Sequence, residues 1–182
     1  MSYETDAWEY IPARDFGAVR TETRLITIHD AEFPEQLKGA RGVANYFKAP
    51  DKPSSAQICV DNQEVIQSVK DSRVAYAAPG ANHDGVHVEL VGYQSQTKGQ
   101  WIDNYSLGVL VLGASAVAQY CLKYDIPAIH LSDGELKSGV KGIVGHEQVS
   151  RVYHKSDHTD PGPNFPWDLF ISMVQEIRAL RA

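Results

Sequence analysis

A chain of 182 residues has the length of one compact domain. Its hydrophobic share of 43% is enough for a core, and 22% charged residues is ordinary for a soluble protein. The formal net charge of -6 argues against sequence-independent nucleic-acid binding, which needs a basic face to release counterions, and gives no general attraction to an anionic membrane.

Cys59 and Cys121 both sit in apolar runs and predict buried free thiols, not a disulfide framework. The start, Met1-Ser2-Tyr3-Glu4-Thr5-Asp6, is polar and acidic, so no secretory leader is expected there. The longest apolar run, Leu107 to Ala118, is interrupted by Gly108, Gly113 and Ser115 and is too short to span a bilayer. The expectation is a chain made in the cytoplasm without membrane insertion, so a target outside the membrane requires delivery.

Along the chain, Leu25-Ile26-Thr27-Ile28 is a β-branched run that predicts a buried strand, with His29 and Asp30 at its exit. Glu35 to Phe47 predicts a helix, weakened by Gly39 and Gly42. Pro50 to Ser55 reads as loop. Ala56 to Val60 and Glu64 to Val69 read as the two strands of a hairpin turning at Asp61-Asn62. Ala77 to Gly85 reads as loop, and Val86 to Val91 as a strand with His87 and Glu89 on one face. Tyr105 to Tyr124 predicts a long buried helix. Pro127 to Leu131 predicts a short strand or turn, and Lys137 to Gly145 and His154 to Pro166 predict loops. Asp168 to Leu180 carries an apolar stripe and predicts a closing helix. Strands and helices alternate without strict order, so the expected class is α/β (α+β): a central mixed β-sheet flanked by helices. No helix opens on a glycine-rich phosphate loop.

Among seven histidines, position matters more than number. His29 ends a buried strand, His146 follows Gly145, and His158 and Asp160 share His158-Thr159-Asp160-Pro161-Gly162-Pro163. Two imidazoles and a carboxylate suit a catalytic zinc with one open position, but on composition alone scattered surface or capping histidines are the commoner reading.

The wording of these motifs resembles the zinc-dependent N-acetylmuramoyl-L-alanine amidase family (amidase type 2), which shares its fold with peptidoglycan recognition proteins. The resemblance runs from about Arg24 to Trp167. Its segments are Leu25 to His29, Ser55 to Asp61, Val74 to Asn82, Gly85 to Gly92, Gly145-His146-Glu147 and His158 to Pro163. Arg41 to Phe47 and Asn164-Phe165-Pro166-Trp167 look most like the amidase domain of mycobacteriophage endolysins.

The resemblance implies one Zn2+ held by His29, His146 and Asp160. It implies that Glu89 handles the proton of the attacking water. His158 falls where many members place a lysine that stabilises the oxyanion. The implied substrate is bacterial peptidoglycan, cut between muramic acid and L-alanine, with host lysis as the outcome. Two departures touch substrate contacts: Gln57-Ile58 stands where some members have His-Tyr, and Tyr76-Ala77 where many have Trp-His. His87 stays open between a substrate contact, a replacement ligand and packing. Tyr76, Asn82 and Trp101 are candidate groove residues. His83, His130 and His154 read as solvent-facing or turn residues. One catalytic domain is expected over 1–182, with 1–23 as an extension and 24–182 as core, acting as a monomer and standing as one domain of a longer endolysin. A peptidoglycan-binding module without catalysis, or a zinc hydrolase cutting another stem amide, are the competing readings.

Overall fold

The computed structural model describes residues 8–181, so the expectation about a leader at Met1 to Asp6 lies outside the described residues. Among them, six strands form one sheet: β1 (Glu9–Tyr10), β2 (Leu25–Asp30), β3 (Ile58–Val60), β4 (Val65–Gln67), β5 (Gly85–Leu90) and β6 (Gly142–Gly145). Their order is β1-β4-β3-β5-β2-β6, and every pair is parallel except the β3–β4 hairpin. The helices are α1 (Gly39–Lys48), α2 (Lys98–Trp101), α3 (Asn104–Tyr124), α4 (Asp133–Lys137), α5 (His146–Tyr153) and α6 (Trp167–Arg181). This is the mixed, helix-flanked sheet expected from the alternation of strands and helices.

The buried β-branched run of β2 lies between β5 and β6, where parallel strands covered on both faces read as continuous hydrophobic sequence. On one face, α3 and α6 pack over Ile26, Ile28, Val86, Val88 and Leu90. Asp103 caps α3 by accepting from the backbone N–H groups of Tyr105 and Ser106, and Asp125 ends it in the left-handed region at φ 50°. By length and composition alone α3 could cross a membrane. Here its buried residues, from Val109 to Cys121, form the core, and α6 lies against it through Phe170 and Val174. On the other face, α1 covers Cys59 and Ile66 with Val43, Ala44 and Phe47. The Asp61 carboxylate in the β3–β4 turn anchors α1 by accepting from the Ala40 N–H at 3.0 Å. Cys59 and Cys121 are buried and free.

Three differences from the sequence reading stand out. Glu35 to Lys38 are not helical, because Lys38 takes the left-handed conformation at φ 62° and α1 starts only at Gly39. The predicted loop 137–145 contains β6, a four-residue strand paired to β2. The first 23 residues contribute β1, which lies parallel to β4, and Ala13 and Arg20, both buried. Arg20 donates to the carbonyls of Gly85 and Asp71 and so ties this segment to the start of β5.

Candidate active site

The parallel strands β2, β5 and β6 end at one edge of the sheet, and their register sets the site. His29 lies opposite Glu89, and Ile28 lies opposite Gly145, so the next residue, His146, begins α5 beside the end of β2. The loop after α5 brings Asp160 across this edge. Its carboxylate stands 3.0 Å from Nδ1 of His29 through Oδ2 and 3.1 Å from Nδ1 of His146 through Oδ1. The ligand atoms of His29, His146 and Asp160 all lie within 4.8 Å of one another, and all three residues are buried. His158 stacks on His146 with ring centroids 4.2 Å apart, and its Nδ1 is 3.3 Å from Asp160 Oδ1.

The position of Asp160 is built, not incidental. The Glu147 N–H donates to the Asp160 carbonyl at 2.9 Å, which fixes the loop to the start of α5. Thr159 donates to the Gln94 side chain, and Asn164 donates to the Gln96 carbonyl at 3.0 Å. Gly162, at φ 91°, packs so tightly that a Cβ there would lie 2.2 Å from the Gln94 carbonyl oxygen. Gly162→Ala is therefore expected to cost about 1–3 kcal/mol through backbone strain and overpacking. It should also weaken metal retention, because the strain falls two residues from Asp160; thermal denaturation and zinc titration of the variant read both effects.

These groups open on a cleft of about 660 Å³. Among the described residues, five carboxylates line it, from Asp30, Glu32, Glu89, Asp157 and Asp160, and no lysine or arginine does. The crowding shows in the titration of Asp30 and Glu89. Burial and the neighbouring Asp160, Glu32 and Glu89 push the Asp30 carboxyl up to about 8, against the backbone hydrogen bond from Glu32. Burial and Asp160 hold the Glu89 carboxyl well above its usual range. Burial also works against ionisation of Asp160, but hydrogen bonds from His146 and His29 outweigh it and hold that carboxyl far below the ordinary value. Burial keeps His146 and His87 on the neutral side, as a metal ligand must be. Asp30 Oδ2 is buried without a hydrogen-bond partner. Two imidazoles, an ionised carboxylate and neighbouring carboxyls whose ionisation is resisted until a positive charge arrives fit a divalent cation, and borderline nitrogen and oxygen donors fit zinc.

The other sequence candidates divide. Tyr76 is exposed on the cleft, facing a wall that includes Phe33, Tyr46 and Phe47. Trp101 does not reach it: the indole is fully buried in the core and packs edge-on against Phe165 at 5.0 Å. Asn82 is also outside it, and its side-chain oxygen accepts from the N–H groups of Ala77 and Ala78, shaping the loop that carries Tyr76. His87 is completely buried behind His29, off the cleft. His130 is partly buried and stacks on Trp167 at 3.8 Å, while His83 and His154 are exposed, the latter ending α5 in the left-handed region. Sequence reasoning missed Ser156, whose Oγ stands 3.4 Å from His146 Nε2. It also missed Gln57, which accepts the His87 backbone N–H at 2.7 Å. The signal for the latter is the departure from the family wording at Gln57-Ile58, which by itself points to substrate contacts and not to the support of His87.

A pair of imidazoles, a carboxylate that gathers them and a second carboxylate across the register have the chemistry to turn water on a carbonyl, the kind of work a hydrolase does. The chain matches the family described as N-acetylmuramoyl-L-alanine amidase over residues 19–163 and belongs to that family. A sequence search of curated proteins finds no match. Among solved structures, the Staphylococcus aureus hydrolase AmiA in complex with its ligand superposes with a TM-score of 0.70 at 16% identity, covering 95% of this chain and 83% of that one. A selenomethionine AmpD derivative gives 0.65 at 17%, covering 96% and 98%. The endolysin N-acetylmuramoyl-L-alanine amidase LysCS from Clostridium intestinale gives 0.60 at 10%, covering 96% and 99%. At these identities the structural likeness speaks for the fold, and the family match speaks for amidase activity.

Proposed function

We propose that this chain is a zinc-dependent amidase that hydrolyses the bond between N-acetylmuramic acid and L-alanine in bacterial peptidoglycan, as the catalytic domain of a phage endolysin. The observation that carries it is the convergence of His29, His146 and Asp160 within 4.8 Å beside Glu89. His29, His146 and Asp160 would hold the zinc. When bound, zinc supplies Lewis acidity, which polarises a carbonyl and makes water reactive near neutral pH.

The remaining work falls to the chain's own groups. Glu89 takes the proton of the attacking water on its carboxylate and returns it to the leaving L-alanine nitrogen. Burial and the neighbouring Asp160 raise its proton affinity above the ordinary carboxylate value, and a cation on the facing ligands would restrain that rise. His158, exposed above Asp160, donates an N–H to the developing oxyanion. The aromatic wall with Tyr76 offers apolar faces to the sugar and the stem. The likeness of Arg41 to Phe47 and Asn164 to Trp167 to mycobacteriophage endolysins supports mycobacterial walls as the first substrate to try. A monomer, joined in the full endolysin to further domains, suits passage through a meshwork.

Mass spectrometry of wall fragments tests the reading. Stem peptides with a new free L-alanine amino group should appear, vanish on chelation and return with zinc. New reducing sugars or cuts within the stem would overturn the bond assignment. Wall binding without any cut would favour a binding module.

A further inference from the structure

The two nitrogens of His29 face two different partners. Nδ1 is directed at Asp160 and the ligand cluster. Nε2 lies 3.2 Å from Nδ1 of His87. His87 is held there from both sides: its backbone N–H donates to Gln57 Oε1 at 2.7 Å, and its carbonyl accepts from the Gln57 N–H at 3.1 Å. Its own Nε2 is buried without a hydrogen-bond partner, with the Ala81 carbonyl as the backbone group it faces. Gly85 leaves room for that carbonyl, since a Cβ at Gly85 would sit 2.5 Å from its oxygen and 3.4 Å from His87 Nε2.

Tautomer logic follows from a ring having one N–H when neutral. If Nδ1 of His29 gives its lone pair to a metal, its Nε2 must carry the proton. That N–H then needs an acceptor, and the atom in place is Nδ1 of His87. To accept, His87 must carry its own proton on Nε2, which points at Ala81. Metal-binding histidines usually direct their second N–H to a carboxylate, a carbonyl or water, which fixes the ring and raises its basicity. Here the carbonyl is one imidazole further away.

We propose that His87 is a positioning residue for the metal centre, locking His29 in the Nε2–H tautomer through the hydrogen bond from His29 Nε2 to His87 Nδ1. The proposal rests on the zinc reading above. It places His87 behind the ligand, in neither the substrate cleft nor the ligand set.

The experiment compares full-length wild type, His87→Leu and His87→Asn. Asparagine sets its side-chain oxygen near the position of Nδ1 and can still accept. Zinc affinity, measured by competition with a chromophoric chelator, should fall about 10- to 100-fold in His87→Leu and recover substantially in His87→Asn. In the zinc-loaded wild type, nitrogen NMR should show both rings protonated at Nε2, with scalar coupling across the bond between His29 Nε2 and His87 Nδ1. Equal zinc affinity in all three proteins, or a zinc-loaded His29 lacking the Nε2 proton, would overturn the proposal and leave the zinc reading standing. Should His87→Leu fail to fold, the wild-type coupling and the asparagine variant decide alone. A wild type that binds no zinc would overturn the zinc reading and this proposal together.

Discussion

His146→Ala is expected to strip the protein of zinc and reduce wall hydrolysis to background. Three protein ligands are the whole set of a catalytic zinc site, and His146 supplies one of two imidazoles that Asp160 gathers. The loss also disturbs its neighbours, since His158 stacks on this ring and the Ser156 hydroxyl abuts its far nitrogen. The thermal signature is separate from the kinetic one. A metal that binds only the folded chain stabilises it by ~2.7 kcal/mol at a hundredfold excess over its Kd. For a domain of this size that raises Tm by roughly 5–10 °C. Wild type should show this rise on adding zinc, and His146→Ala should show none. A variant that stays active without metal would refute the ligand set.

Glu89→Gln is expected to separate catalysis from metal binding. The variant should keep zinc, because Glu89 lies outside the three-ligand cluster. Its kcat should drop by about 10²–10⁴-fold, the usual worth of a positioned proton-transfer group. Stability should move the other way. The Glu89 carboxyl has its folded proton affinity raised by burial and by Asp160, so ionisation at neutral pH works against the folded state. A raised acid favours folding only while protonated, and that benefit fades as pH climbs past its unfolded value. Metal-free Glu89→Gln should therefore melt at or above the wild-type temperature at pH 7. Full turnover in this variant would remove Glu89 from the mechanism; a lower melting temperature would remove the argument from burial.

The sequence showed the elements that have a period. β2 and α3 carry enough consecutive apolar residues, and β5 a clear two-residue alternation, to announce themselves, and the ends of the two strands put His29 and Glu89 at one edge. β6 was hidden because Gly142 and Gly145 bracket only two apolar residues, and glycine at both ends reads as loop. Its status depends on pairing with β2, which lies far from it in sequence. β1 is two exposed residues with no pattern at all. Within the site, the resemblance pointed to residues that the fold brings together, but not to how they are supported. Trp101 looked like a groove aromatic because aromatics suit sugars, yet nothing local distinguishes it from a core residue. His87 and Glu89 share a strand face, and which of the two meets solvent depends on where the strand ends.

The packing of α6 over α3 has a consequence for how the chain can be shortened. The family match ends at residue 163, before α6 begins at Trp167. A fragment trimmed there would keep every ligand and lose the cover over a 21-residue apolar helix. Leu107 and Val111 are already partly exposed on α3, and the surface under Phe170 and Val174 would join them. Such a helix has the length and hydropathy to enter a bilayer. α6 thus keeps the apolar face of α3 covered, and a shortened fragment should be cut after Arg181, not at the end of the motif.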